Sequence, residues 1–221
     1  MIAWTTITKF GDAVVMLPAA TAIAAWLFIA GTRRLALYWL ALFGIAAALV
    51  TLTKIAFVGW GIGIAGLDFT GISGHTTFAM TVIPTLFYLA LPTAAPTWRA
   101  VGAVAGIACA LLIGISRLTL DAHTLSEVVL GCALGLAISL CFIRIARRYP
   151  MPRLHAGAAA CCIAALIASW YAQAAPTQHW VERVALYLSG HEQPYQRTGQ
   201  PGQPMPGQPT NWQRESASDL R

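Results

Sequence analysis

The stretch Ser116-Arg117-Leu118-Thr119-Leu120-Asp121-Ala122-His123-Thr124-Leu125-Ser126-Glu127 concentrates polar side chains in a chain that is otherwise apolar. His123 and Glu127 stand four positions apart, a spacing that puts both on one helix face. There the carboxylate accepts a hydrogen bond from one ring nitrogen, which fixes the tautomer and leaves the other nitrogen free to attack an electrophile. Arg117 offers a planar fork that matches phosphate oxygens. A second polar stretch, Leu67-Asp68-Phe69-Thr70-Gly71-Ile72-Ser73-Gly74-His75, leads straight into an apolar run. Ser73 reads as a helix N-cap, Gly74 lets a ligand approach the backbone, and His75 falls in the first turn. Free N–H groups and the positive dipole end make such a helix start an anion site. A histidine placed there can hand a proton to an oxygen leaving a bound phosphate. Lys54 adds a further positive charge. Asp68 is expected to pair with Lys54, and Asp121 to cap the helix that follows it. His155, His179 and His191 fit no pattern and read as structural or solvated.

The elements that must position these groups are membrane helices. Of 221 residues, 57% are hydrophobic and only 10% charged, against roughly 25% charged in soluble domains. That apolar excess has to face a bilayer. Six apolar segments, near 12–31, 35–58, 76–92, 98–116, 125–143 and 154–175, approach the ~20 residues that span the hydrocarbon core. Backbone polar groups cannot stay unpaired in lipid, so the fold class is all-α, a polytopic bundle of about six transmembrane helices. The fourth and fifth segments are rich in Gly and Ala and are expected inside the bundle. Trp4, Trp60, Trp98 and Trp180 suit an interfacial belt. The first apolar run follows no basic leader and reads as a retained helix.

Charge gives the expected orientation. Arg33, Arg34, Arg99, Arg144, Arg147, Arg148 and Arg153 fall in loops that share one side, expected to be cytoplasmic. The loops near 59–75 and 117–124, which hold the chemistry, then face outward with both termini. The net charge of +6 reflects loops beside anionic headgroups and no nucleic-acid partner is expected. The five cysteines lie in apolar stretches without metal-type spacing and read as packing residues. Neither a metal nor a cofactor is expected. Residues 1–180 form the membrane-embedded domain. Residues 181–221, with a recurring Gly-Gln-Pro unit, read as a polar, disordered tail.

On these residues the chain resembles the type-2 phosphatidic acid phosphatase superfamily, the membrane lipid phosphate phosphatases. That signature has a Lys followed after six residues by Arg-Pro, then Pro-Ser-Gly-His, then Ser-Arg with a His six residues after the Arg and an Asp four after the His. Ser116-Arg117, His123 and Glu127 match the third part, with Glu for Asp. Ser73-Gly74-His75 match the second, with Ile72 for Pro. Lys54 alone matches the first: Gly61 and Ile62 stand where Arg-Pro would be. The resemblance covers roughly residues 50–140. It implies that His123 attacks phosphorus to give a phosphohistidine, Glu127 orients it, and His75 protonates the leaving oxygen. Lys54, Ser73, Gly74 and Arg117 would hold the phosphate oxygens, without metal. The missing guanidinium at Gly61 removes a contact that is worth a few kcal/mol at a transition state.

The implied activity is hydrolysis of a lipid phosphate or pyrophosphate at the outer face of a bacterial inner membrane, the lipid tail remaining in the bilayer. Two alternatives share the same residues. One is a phosphotransferase, in which a lipid or sugar hydroxyl captures the phosphohistidine. The other is a non-enzymatic lipid-binding or transport component, favoured by the absent Arg.

Overall fold

The computed structural model describes residues 2–150 and 177–197. Among these the fold is all-helical: α1 (Ile2–Lys9), α2 (Ala13–Ile29), α3 (Arg33–Trp60), α4 (Gly74–Leu89), α5 (Pro96–Thr119), α6 (Leu125–Ala146) and α7 (Thr177–Ser189). A single pairing of Ile64 with Phe69 closes the loop after α3. The apolar segment expected at 154–175 lies outside the described residues.

Local chemistry sets the boundaries. Asp12 caps α2 by accepting from the Val14 N–H at 3.0 Å. Pro96 opens α5, where its missing N–H costs nothing. Thr124 and Glu127 form a reciprocal capping box at the start of α6. Asp121 therefore does not cap that helix, as its position had suggested; it occupies a left-handed turn (φ 50°) three residues earlier.

Ala3–Ile29, Arg33–Trp60, Pro96–Thr119 and Leu125–Ala146 are long and apolar enough to cross a membrane. Their outer faces expose large apolar side chains such as Leu37, Leu52, Val104 and Leu140, the surface a bilayer covers. The chain is a multi-pass membrane protein. At 16 residues, α4 extends only ~24 Å at 1.5 Å per residue, and it is the helix enclosed by the others.

That central place differs from expectation. The Gly- and Ala-rich α5 and α6 each bury one side only, and their small residues press on α4. A Cβ on Gly106 would lie 2.6 Å from Pro84, and one on Gly135 would lie 2.6 Å from the Thr77 carbonyl. The small residues thus mark which faces touch α4, not which helices are enclosed. Thr77, Thr81 and Thr85 line α4 at intervals of four and return their hydroxyls to the carbonyl four residues back, each at 2.8 Å. Buried polar groups satisfied within their own helix leave it free to pack as an apolar rod.

The two ends of the bundle differ. Around Leu27, Leu35, Trp39, Leu89 and Phe142 side chains are completely buried. Trp39 donates its indole N–H to the Ala20 carbonyl at 2.8 Å and meets the Phe142 ring edge-on at 5.1 Å. The described arginines of the expected cytoplasmic loops gather at this end. The other end, formed by the starts of α2, α4 and α6 and the ends of α3 and α5, encloses a cavity of about 790 Å³.

Residues 181–189, expected in a disordered tail, continue helix α7 along the end of α3. Ala185 is wholly buried, its backbone 3.1 Å from where a Cβ on Gly59 would stand. Composition averaged over the tail concealed the amphipathic start that makes this packing possible. Residues 198–221, with every copy of the Gly-Gln-Pro unit, lie outside the described residues.

Candidate active site

Helix α3 ends at Gly61 in a left-handed conformation (φ 67°) that glycine adopts without strain. The chain then makes a 3-10 turn at Ala65–Leu67 and runs to α4. This loop is stitched to the start of α6. The Ser126 hydroxyl donates to the Leu67 carbonyl at 2.9 Å, that of Thr124 donates to the Asp68 carbonyl at 3.2 Å, and the Ser73 N–H donates to the Glu127 carbonyl at 3.2 Å. On the other side the Ile72 N–H reaches the Thr53 hydroxyl on α3 at 3.1 Å. Two stretches nearly sixty residues apart are thereby held as one wall.

Glu127 is the anchor of that wall and has no exposed surface. Its Oε1 accepts from the Thr70 N–H at 2.8 Å, the Thr70 hydroxyl at 2.6 Å and an Arg197 Nη2–H at 2.6 Å. Its Oε2 accepts from the His123 Nδ1–H at 2.6 Å and the Thr124 N–H at 3.3 Å. A buried carboxylate is tolerated only with donors on this scale. The longer arm of Glu, compared with Asp, lets one residue serve the helix cap, the loop and the imidazole together.

Because Nδ1 donates to Glu127, the lone pair of His123 resides on Nε2. Burial pushes the His123 pKa below the ordinary histidine value; hydrogen bonding to Glu127 opposes this, and the charges of Lys54 and Arg117 reinforce it. The ring is thus held neutral, as an attacking nitrogen must be.

His75 has a different partner. Its Nε2 lies 3.6 Å from Asp12 Oδ2, with each side chain about a quarter exposed. This is beyond hydrogen-bond length, so the pair is an open electrostatic contact. Arg117 reaches Thr8 on α1, donating from Nη1 at 2.9 Å, while its buried Nε meets no protein acceptor among the described residues.

The structure brings Lys54, Gly74, His75, Arg117 and His123 onto the surface of one cavity, with Glu127 directly behind His123. Ser73 is the residue it does not bring there. Its side chain is fully buried and its hydroxyl meets that of Thr76 at 3.0 Å, because α6 packs tightly against this turn at Gly131. Asp68 pairs with Arg197, at 3.5 Å, in place of the expected Lys54. Arg33, Arg34 and Arg99 belong to the opposite end of their helices, as the charge pattern required.

Four contributors escaped sequence reasoning. Thr124 carried a legible signal, the Thr-x-x-Glu capping box. Asp12 stands immediately before an apolar helix, which identifies a cap but not a partner for His75. Thr70 and Arg197 carried no local signal, since both act through contacts distant in sequence. Such a site, with an imidazole whose Nε2 lone pair is free, a second imidazole and convergent cations, has the groups that phosphoryl binding and transfer require. The apolar stretch of the same cavity, from Leu17, Val50, Phe57 and Phe78, is suited to a hydrocarbon chain.

Comparison with known proteins identifies the family of the stretch that carries most of these residues. Residues 64–151 match the family model described as PAP2 superfamily. That segment includes His75, Arg117, His123 and Glu127 and stops short of Lys54. A Klebsiella pneumoniae protein described as "Uncharacterized 22.5 kDa protein in cps region" is 36% identical over 200 residues, covering 88% of this chain and 96% of that protein. No solved structure matches.

Proposed function

The chain belongs to the PAP2 superfamily, whose members are phosphatases, and from that membership we propose that it hydrolyses a lipid phosphate or pyrophosphate without a metal ion. The observation that carries this reading is the 2.6 Å bond from His123 Nδ1 to fully buried Glu127, at the wall of a cavity that also holds His75, Lys54 and Arg117.

In the first step the lone pair on His123 Nε2 attacks phosphorus. The bond from phosphorus to the leaving oxygen breaks, and protonated His75 gives that oxygen its proton. Glu127 stabilises the positive imidazole that results. In the second step neutral His75 takes a proton from water as the water oxygen attacks phosphorus. The phosphorus–nitrogen bond breaks, its electron pair returns to Nε2, and inorganic phosphate leaves. Lys54 and Arg117 stabilise the equatorial oxygens, whose charge is greatest in the transition state.

A lipid substrate is supported by the apolar side chains Leu17, Val50, Phe57 and Phe78, which line the same cavity as the charged groups. A site at the outer face of a bacterial inner membrane is supported by the arginines Arg33, Arg34, Arg99, Arg144, Arg147 and Arg148 at the far end of the helices.

The test is phosphate release by purified full-length protein from a panel of lipid monophosphates and pyrophosphates, with and without an acceptor lipid. Free phosphate, insensitivity to EDTA and an acid-labile phosphoprotein lost in His123→Ala are expected. Transfer to the acceptor without free phosphate would identify a transferase. No turnover on any lipid, or equal turnover in His123→Ala, would overturn the reading.

A further inference from the structure

The end of α3 leaves backbone carbonyls that its own helix cannot satisfy. The segment after α7 supplies their donors. The His191 Nδ1–H donates to the Gly59 carbonyl at 2.8 Å, and the Tyr195 N–H donates to the Val58 carbonyl at 2.9 Å. The ring of Tyr195 then covers Gly61 so closely that a Cβ on Gly61 would lie 2.8 Å from it. Any side chain at Gly61 would both strain the left-handed backbone and displace this ring. The position is committed to docking the C-terminal segment.

Two residues further on, the docked segment delivers Arg197 to the cavity wall. Its Nη2 lies 2.6 Å from Glu127 Oε1 and 3.0 Å from the Thr70 hydroxyl, and its Nε lies 3.5 Å from Asp68 Oδ1. Only 16% of its side chain is exposed. A surface ion pair contributes little, because water competes for both partners. Here the carboxylate is fully buried and the contact is short and charge-assisted, which is the arrangement that fixes geometry.

We infer that Arg197 is a positioning residue for His123: it holds Oε1 of Glu127 so that Oε2 is presented to the imidazole, and the docked segment 190–197 completes a site that residues 2–150 leave unfinished. This rests on the reading of His123 as nucleophile. It makes turnover depend on the docking of a segment remote in sequence. It also accounts for a glycine at Gly61: the Tyr195 ring of the docked segment occupies the space a side chain there would fill.

Arg197→Ala, Arg197→Lys and Tyr195→Ala in the full-length protein test this, with His123→Ala as reference. The kcat of Arg197→Ala is expected to fall ~10- to 100-fold, the range for losing a charged hydrogen bond, with KM nearly unchanged. Added guanidinium should restore part of that loss and none in His123→Ala, and Lys should restore part of it. Tyr195→Ala should give a smaller loss. An independent readout is the titration of the His123 ring, followed by NMR of nitrogen-labelled histidine. The charges facing that ring are Glu127 from α6, Lys54 from α3 and Arg117 from α5, with Arg197 acting through Glu127. Without Arg197 the Glu127 charge acts on His123 alone, so the ring should titrate at higher pH. Parental kcat with an unmoved titration in Arg197→Ala would overturn the inference. So would faster turnover, which would make the segment an inhibitor. If the parent released phosphate from no lipid, the proposed function would fail and the ring titration would decide the role of Arg197.

Discussion

The cavity contains two histidine–carboxylate pairs built to opposite specifications. His123 meets Glu127 at 2.6 Å, with a carboxylate that has no exposed surface. His75 meets Asp12 at 3.6 Å, with both side chains about a quarter exposed. A nucleophile has one task, attack along a fixed line, and gains from a ring that cannot turn. A group that gives a proton in one step and takes one in the next needs access to solvent and a partner that lets it change charge. The contrast fits the proposed roles, His123 as nucleophile and His75 as proton donor and acceptor.

The largest effects separate the two pairs by the chemistry of the leaving group. His123→Ala should lower kcat by at least ~10³-fold on every substrate, because the bond-forming atom is gone. His75→Ala should cost ~10²- to 10⁴-fold on a lipid phosphate, the usual worth of a general acid. That cost should shrink markedly on p-nitrophenyl phosphate, whose leaving oxygen needs no proton. A His75 deficit that is the same on both substrates would break the assignment, and measured kcat values on the two suffice to show it.

Next comes the locked pair itself. Glu127→Gln keeps the shape and removes the charge, so the amide must turn an N–H toward either the His123 side or the Arg197 side. A loss of ~10²- to 10⁴-fold in kcat is expected, as for other imidazoles deprived of their orienting carboxylate. The same change leaves Arg197 without its buried counter-charge, and a stability loss on the order of 3 kcal/mol should appear as a lower Tm. Asp12→Asn should leave Tm unchanged. Equal melting shifts in the two variants would remove the distinction between a buried and an open pair.

The pH profile sharpens the same point with a smaller effect. On the proposed mechanism His123 attacks only when neutral, and burial holds its pKa below the ordinary value of 6.5. The neutral ring therefore persists as pH falls past 6.5, and kcat/KM should decline only at a lower pH. An acid limb centred above that value would mean that His123 is more solvated, or more strongly held as imidazolium by Glu127, than the structure indicates.

The locked pair was legible in the sequence and the open pair was not, for a physical reason. His123 and Glu127 are one helical turn apart, so spacing alone places them together. The Thr124 cap is local too. The positions of α2 to α6 were legible because apolar length is itself the constraint that a bilayer imposes. His75 and Asp12 are joined only through the packing of α2 beside α4, which no periodicity announces. Arg197 was concealed further, because it belongs to a segment whose composition reads as a tail. Ser73 differs in the other direction: the family resemblance implied a ligand contact, whereas tight packing by α6 turns its hydroxyl into the protein. Short-range chemistry is written in spacing; long-range chemistry is decided by which faces pack, and the glycines of α5 and α6 showed only in three dimensions that α4 was their target.

Asp12→Asn isolates the weaker pair most cleanly. Asp12 does two things: it caps α2 through the Val14 N–H at 3.0 Å, and it puts a charge 3.6 Å from His75. Asn is as good an N-cap as Asp, so the helix start is preserved and only the charge is lost. A contact this long and open is worth little beside a buried one; ~0.5–1 kcal/mol corresponds to a loss of about two- to fivefold in kcat. The loss should vanish on p-nitrophenyl phosphate, since a carboxylate that acts through His75 matters only where His75 must donate a proton. Persistence of the loss on that substrate would mean that Asp12 acts on the bound phosphate or on Arg117 directly. A loss as large as that of Glu127→Gln would mean that the two pairs close to the same length when substrate enters.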